Sequence, residues 1–179
     1  MRIVFLGGNQ TGCFGLLTLL AKGHSIPMAV PYSESVEQLC KSFNIPTFKI
    51  KELNIEYGGI HDPYEYDLLV SVHCRSIIGK DMLDKFRFGG INVHPCLYKY
   101  KGADPIGRLL KDGETLASVA THAMTPIVDE GEVLNEIFVD VTGLTTVTEV
   151  YNKLYPYYAI SLIHALEKIY ESTLEKIRG

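Results

Sequence analysis

The sequence predicts an α/β fold: a Rossmann-like, mostly parallel twisted sheet with flanking helices, in one domain over residues 1–179. Three observations predict it. Short apolar runs alternate with segments of helical periodicity through the first half, the pattern of βαβ units. The run at residues 67–72 (Asp-Leu-Leu-Val-Ser-Val) is almost continuously apolar, as in a strand buried on both faces. A chain of 179 residues is long enough for one well-buried core and too short for two ordinary domains.

Each element follows in order. Residues 2–6 read as a buried strand running into a turn at Gly7-Gly8-Asn9. Phe14, Leu16, Leu17, Leu19, Leu20 and Ala21 then predict an apolar helix that stops near Gly23. Residues 26–30 are a second strand, closed by Pro31. Ser33 is placed to cap a helix, because Val36, Leu39, Cys40 and Phe43 recur at helical spacing. Residues 47–50 are a short strand candidate, and the polar, glycine-containing stretch 52–63 is read as loop. Residues 67–72 and 90–94 are further strands. After Thr115 the pattern changes to apparent strands at 118–124 and 133–139. Thr146 with Glu149 forms a capping-box pattern before a terminal helix. Val147, Val150, Tyr151, Leu154, Tyr158 and Leu162, followed by Ala165 and Ile169, mark its buried face. Pro156 is expected to break or kink it.

Composition narrows the function. A hydrophobic fraction of 46% and a charged fraction of 21% are those of an ordinary globular protein. The net charge of -4 argues against a general grip on nucleic acid, which needs clustered Lys and Arg. The opening Met1-Arg2-Ile3-Val4-Phe5-Leu6 meets Gly7-Gly8 too soon to be a signal segment. No stretch approaches the roughly 20 apolar residues that span a bilayer, so no membrane partner is expected. Cys13, Cys40, Cys74 and Cys96 lack metal-type spacing; no metal site is expected, and free thiols point to the cytoplasm.

Three stretches could carry chemistry. Gly7-Gly8-Asn9-Gln10-Thr11-Gly12 follows a strand and precedes a helix, but it fits neither nucleotide fingerprint and is read as a tight βα turn. In Asn92-Val93-His94-Pro95, the two-residue period of a strand sends Asn92 and His94 to one side, at the end where α/β proteins bind ligands. Singly, each residue is as well explained as a satisfied polar group at a strand end. Asp129-Glu130-Gly131 follows a stretch read as loop, Thr125-Pro126-Ile127-Val128. Ordinary turn chemistry accounts for it. A carboxylate there is also placed to meet His94 across the crevice and stabilise its charged form.

Together, Asn92-Val93-His94-Pro95, Lys101-Gly102-Ala103-Asp104-Pro105-Ile106, His122 and Asp129-Glu130-Gly131 resemble the folate-dependent formyltransferase family. The resemblance begins at Met1 and covers nearly the whole chain. It implies the formyltransferase fold, with Asn92, His94 and Asp129 as the catalytic Asn, His and Asp. It implies N10-formyltetrahydrofolate as a consumed cosubstrate and no metal. It further implies that His73, Arg75, Ile77 and Ile78 lie in the loop beside the pterin. Thr125, Ile127 and Val128 would line its other side. On the acceptor side it implies Lys101, Gly102, Ala103, Asp104 and Pro105. His122 matches a family His expected to be structural or substrate-side.

The resemblance includes glycinamide ribonucleotide, methionyl-tRNA and sugar N-formyltransferases, and the sequence departs from the family around the acceptor. Cys96-Leu97-Tyr98-Lys99 replaces a common Ser-Leu-Leu-Pro, Ser118 and Ala120 replace Gly and Thr, and Gly79 replaces Pro. The turn after the first strand is a poor match to the Gly-Ser/Thr-Asn turn of the ribonucleotide enzymes. The methionyl-tRNA enzymes carry an added C-terminal domain, whereas this sequence ends soon after its terminal helix, so tRNA is disfavoured as acceptor without being excluded. Lys99-Tyr100-Lys101-Gly102 and the Tyr-rich tail suit a small nucleotide-linked amine. The expectation is formyl transfer to the primary amine of a small acceptor, an amino-sugar nucleotide. Formyltetrahydrofolate hydrolysis and a non-catalytic folate-binding module stay open, as does self-association.

Overall fold

Six strands form a single mixed sheet in the order β2-β1-β3-β4-β5-β6, where the strands are β1 (Arg2–Gly7), β2 (Ser25–Pro31), β3 (Leu68–Val72), β4 (Gly90–Pro95), β5 (Leu116–Ala123) and β6 (Val133–Asp140). This computed structural model describes residues 1–53, 62 and 64–178. The first four strands run parallel, and β5 and β6 return antiparallel at the β4 edge. The helices are α1 (Asn9–Ala21), α2 (Glu34–Ser42), the short α3 (Lys80–Leu83), α4 (Pro105–Lys111) and the long α5 (Val147–Arg178).

Local chemistry explains the helix starts. Ser33 Oγ accepts from the Val36 N–H at 3.4 Å, capping α2. Thr146 and Glu149 form the expected reciprocal box: Glu149 N–H donates to Thr146 Oγ1 at 3.2 Å, and Thr146 N–H to Glu149 Oε2 at 2.9 Å. The first turn is tighter than expected, because α1 begins at Asn9 and leaves only Gly8 between strand and helix. A Cβ on Gly12 would stand 3.0 Å from the Gly7 carbonyl carbon, so these glycines serve close helix–strand packing.

Four expectations need correction. Residues 47–50 do not form a strand: Thr47 makes one isolated bridge to Ala29, and Ile50–Leu53 is a 3-10 turn. Pro31 has no N–H to donate to the Phe48 carbonyl, the next bond of a parallel ladder, so pairing does not extend beyond the bonds Ala29 N–H to Pro46 O and Phe48 N–H to Ala29 O. Residues 54–61 and 63 of the expected 52–63 loop lie outside the described residues, while residues 52 and 53 close the 3-10 turn. Pro156 does not break α5, which runs continuously through it. Its ring and Asn152, whose carbonyl loses its intrahelical donor, are both exposed, where water can bond the freed oxygen. Val147 is exposed rather than buried, since it is the first residue beyond the cap. Among the described residues no helix is long and apolar enough to cross a membrane.

The main core lies on one face. Ile3, Phe5, Val70, Ile91 and Val93 point from the sheet toward Leu16, Leu19, Leu154 and Leu162 of α1 and α5. The opposite face has a smaller cluster, with Val4, Leu6 and Leu69 beneath Ile78 and Leu83.

Candidate active site

Strand alternation builds the site from the small-cluster face. Ile91 and Val93 point into the main core, so Asn92 and His94 point the other way. Registry then brings partners from both neighbours: Ser71 of β3 and His122 of β5 each stand opposite Asn92. A polar row results across three strands. Ser71 Oγ donates to Asn92 Oδ1 at 2.8 Å, and Asn92 Nδ2 donates to His122 Nε2 at 3.2 Å. His122 Nδ1 lies 2.8 Å from the Ala123 carbonyl, an obligate acceptor, so Nδ1 carries the proton and Nε2 can receive the Asn92 amide. The amide of Asn92 is thereby held with its oxygen toward Ser71 and its nitrogen toward His122.

Asp129 closes the arrangement. It adopts a left-handed backbone (φ 56°), rare for a residue with a Cβ, and is nearly buried. The next turn leaves no room for a side chain, because a Cβ on Gly131 would fall 1.7 Å from the Ala123 carbonyl oxygen. Asp129 Oδ2 accepts from the Gly102 N–H at 2.7 Å and lies 3.2 Å from His94 Nε2, while Oδ1 lies 3.4 Å from His122 Nε2. His94 Nε2 also donates to the Gly102 carbonyl at 3.1 Å. With acceptors on both sides, Nε2 is the protonated nitrogen of neutral His94.

The electrostatics revise one expectation. The carboxylate does meet His94, but His94 is lowered from its ordinary value. Burial, which disfavours the imidazolium, outweighs the opposing pull of Asp129 and the Gly102 carbonyl. Burial also pushes the Asp129 carboxyl up. The neighbouring His122 ring, the attraction of His94 and the Gly102 N–H outweigh that and bring it down to about 2. The pair therefore stands as an ionised carboxylate beside a neutral imidazole.

A cavity of about 650 Å³ opens here. Its walls include six of the seven residues expected around the pterin: His73, Arg75, Ile77, Ile78, Thr125 and Val128. Ile127 is outside the lining and largely exposed. Of the acceptor-side residues, Gly102, Ala103, Asp104 and Pro105 line it. Lys101 does not; it pairs with Glu130 at 2.9 Å. Asp104 caps α4, its Oδ1 accepting from the Gly107 N–H at 3.2 Å. His73 Nε2 receives the Asn9 amide at 2.8 Å, tying the loop after β3 to the start of α1. Burial lowers His73, with Arg75 and His94 adding to it. Sequence reasoning passed over Ser71 and weighed His122 as a strand residue; the signal for both is cross-strand registry with Asn92. Among the described residues no group of three or more His, Cys, Asp or Glu is placed to hold a metal ion.

An open, mostly parallel sheet with a polar-floored cavity at the carboxyl end of its strands defines an α/β ligand-binding protein. The chain belongs to the formyl transferase family, whose model matches residues 1–166. It is 26% identical over 169 residues to the bifunctional polymyxin resistance protein ArnA of Wigglesworthia glossinidia brevipalpis, covering 86% of this chain and 25% of that protein. It is 28% identical over 192 residues to methionyl-tRNA formyltransferase of Agathobacter rectalis, covering 98% of this chain and 61% of the relative. The chain thus spans less than two thirds of either. In fold it resembles an N-formyltransferase from Helicobacter canadensis, solved with folinic acid and dTDP-3-aminofucose. The TM-score is 0.75 at 18% identity, covering 97% of this chain and 65% of that one.

Proposed function

We propose that this protein transfers the formyl group of N10-formyltetrahydrofolate to the primary amine of a small acceptor, an amino-sugar nucleotide. The observation that carries the reading is the convergence of Asn92, His94 and Asp129 on one cavity, with the carboxylate ionised and the imidazole neutral. The cavity fits a folate: its volume is that of a small-molecule site, its floor is polar, and Ile77, Ile78 and Val128 offer apolar walls for a flat ring.

In this reading the acceptor amine adds to the formyl carbon, and the formyl oxygen gains negative charge. The free N–H of the Asn92 amide is the donor for that oxygen, and His94, whose Nε2–H is held by the Gly102 carbonyl and Asp129, would become a second donor by turning its ring toward the oxygen. Ser71 and His122 hold the Asn92 amide in the donating orientation. Asp129 accepts the proton lost by the attacking amine, directly or through water, and N10 of the departing tetrahydrofolate takes up one proton. Atoms and charge balance: a formamide and tetrahydrofolate leave. The sugar-nucleotide acceptor is supported by the Helicobacter canadensis protein, whose structure holds dTDP-3-aminofucose. The methionyl-tRNA relatives support a second reading, with charged initiator tRNA as acceptor.

The test is absorbance-detected tetrahydrofolate release with dTDP-3-aminofucose, glycinamide ribonucleotide, charged initiator tRNA, or no amine. Release that requires the sugar nucleotide is expected. Release in water alone would make the protein a hydrolase, and folate binding without release would make it a binding module.

A further inference from the structure

The terminal helix is apolar on two sides. Leu154, Tyr158, Leu162 and Ala165 of α5 are buried and mark the side turned to the sheet. With about 100° between successive residues, Pro156, Ile160 and Ile163 fall on the opposite side, and Lys153 and Glu167 close that stripe at its two ends. Ile160 is 39% exposed; Lys153, Pro156 and Glu167 are exposed and Ile163 is half-buried. Helix α1 widens the patch. The Phe14 ring stacks on Tyr155 at 5.0 Å and Lys22 pairs with Glu167 at 3.8 Å, so α1 runs beside α5 between these two ties. Phe14 and Leu17, in that stretch, are both exposed. A helix pair that ended at water would carry polar residues on this side.

The stripe is its own complement in charge. Lys153 and Glu167 are equally spaced about Ile160, one positive and one negative. A second copy laid antiparallel, with a two-fold axis at Ile160, sets Lys153 against Glu167 of the partner subunit, and the symmetry repeats that pair at the other end. A parallel copy would set like charges together. Lys153 forms no ion pair among the described residues, although its charge is felt at Asp140, and the Glu167 bond to Lys22 is long and half-exposed. We propose that this face is a self-docking surface, on which α5 crosses the α5 of a second copy of this chain antiparallel at Ile160. Phe14, Leu17 and Ile163 fill the apolar centre, and the charged ends form a wet rim. None of these residues lines the cavity, so the inference stands whether or not the formyl-transfer reading does.

Sedimentation equilibrium over a range of protein concentrations tests it. The contact is about 20 Å long and two helices wide, small for an interface, so a wild-type monomer–dimer equilibrium is expected with a Kd on the order of micromolar. Ile160→Glu brings two carboxylates together at the axis and should raise that Kd at least about a hundredfold. Lys153→Glu and Glu167→Lys should each raise it about tenfold, since each reversal counts twice across the axis. The double variant carrying both reversals restores opposite charges at each end and should return to within about threefold of wild type. Phe138→Glu, at an exposed position on the β6 edge, should leave the Kd unchanged. A wild type that stays monomeric to about a hundred times that concentration would overturn the proposal. So would a double variant as weak as the single reversals. Dissociation by Phe138→Glu with Ile160→Glu still dimeric would place the second copy on the sheet edge and overturn it as well.

Discussion

The two faces of the sheet are filled in opposite ways. Toward α1, α2, α4 and α5, every strand presents apolar side chains, and Phe5, Ile91 and Val93 meet Leu16, Ile106 and Leu162 in one continuous core. The other face begins the same way, with Val4, Leu6 and Leu69, and then turns polar at Ser71, Asn92 and His122. These three residues are in register on adjacent strands. The site is thus made by placing polar residues at three facing positions on the thin face of an ordinary sheet.

That division predicts two effects that separate cleanly. Leu162→Ala, fully buried on the thick face, should lower unfolding free energy by about 2–5 kcal/mol in urea titrations. Its kcat at a temperature where it remains folded should be close to wild type. Asn92→Ala should behave in reverse. Loss of one oxyanion donor is worth about 2.7–4 kcal/mol of barrier, so kcat should fall about 10²- to 10³-fold. Its stability should fall less than that of Leu162→Ala. A large loss of kcat in Leu162→Ala would mean that the two faces are not separable.

The same division explains what the sequence made legible. Asn92 and His94 could be read because a strand has a period of two and both residues share one short run. Asp129 could be read as a candidate because Asp-Glu-Gly marks a turn from which a carboxylate can meet His94, although the resemblance was needed to prefer that to ordinary turn chemistry. Ser71 and His122 could not be read as partners: they are 21 and 30 residues from Asn92, and only the strand pairing brings them opposite it. Sheet order is long-range in the same sense, and so is the return of β5 and β6 as antiparallel strands. Pro156 does not break α5, because the Asn152 carbonyl that it leaves unbonded lies on an exposed turn where water can reach it.

A smaller effect should separate burial from charge on the thin face. His94 sits below its ordinary 6.5 and Asp129 at about 2, below its ordinary 3.8. At both groups the unfolded chain binds protons more readily than the folded protein, so both make stability increase with pH. The His94 contribution is lost as the pH falls from 6.5 toward its lowered folded value. The Asp129 contribution is present above 3.8 and is lost as the pH falls toward about 2. In NMR titrations the His94 ring should have its midpoint below 6.5. Asp129→Asn should move it lower still, because the carboxylate is the largest influence raising it. A midpoint above 6.5 in the wild type would show that the ion pair, not burial, governs this residue.

The smallest effect expected is the most specific to the polar row. Ser71 does not line up with the trio in sequence and touches Asn92 only through its oxygen, at 2.8 Å. Ser71→Ala leaves the Asn92 oxygen without that donor, a loss of about 1 kcal/mol. The amide is then held at one end only, by His122. The donor's N–H spends less time aimed at the reacting oxygen, so kcat should fall by roughly three- to tenfold with the donor KM unchanged. Ser71→Thr, which keeps the hydroxyl, should restore most of the rate if the added methyl is accommodated, as the melting point would report. If Ser71→Ala turned over at the wild-type rate, His122 alone would fix the amide. The polar row would then begin at β4 rather than β3.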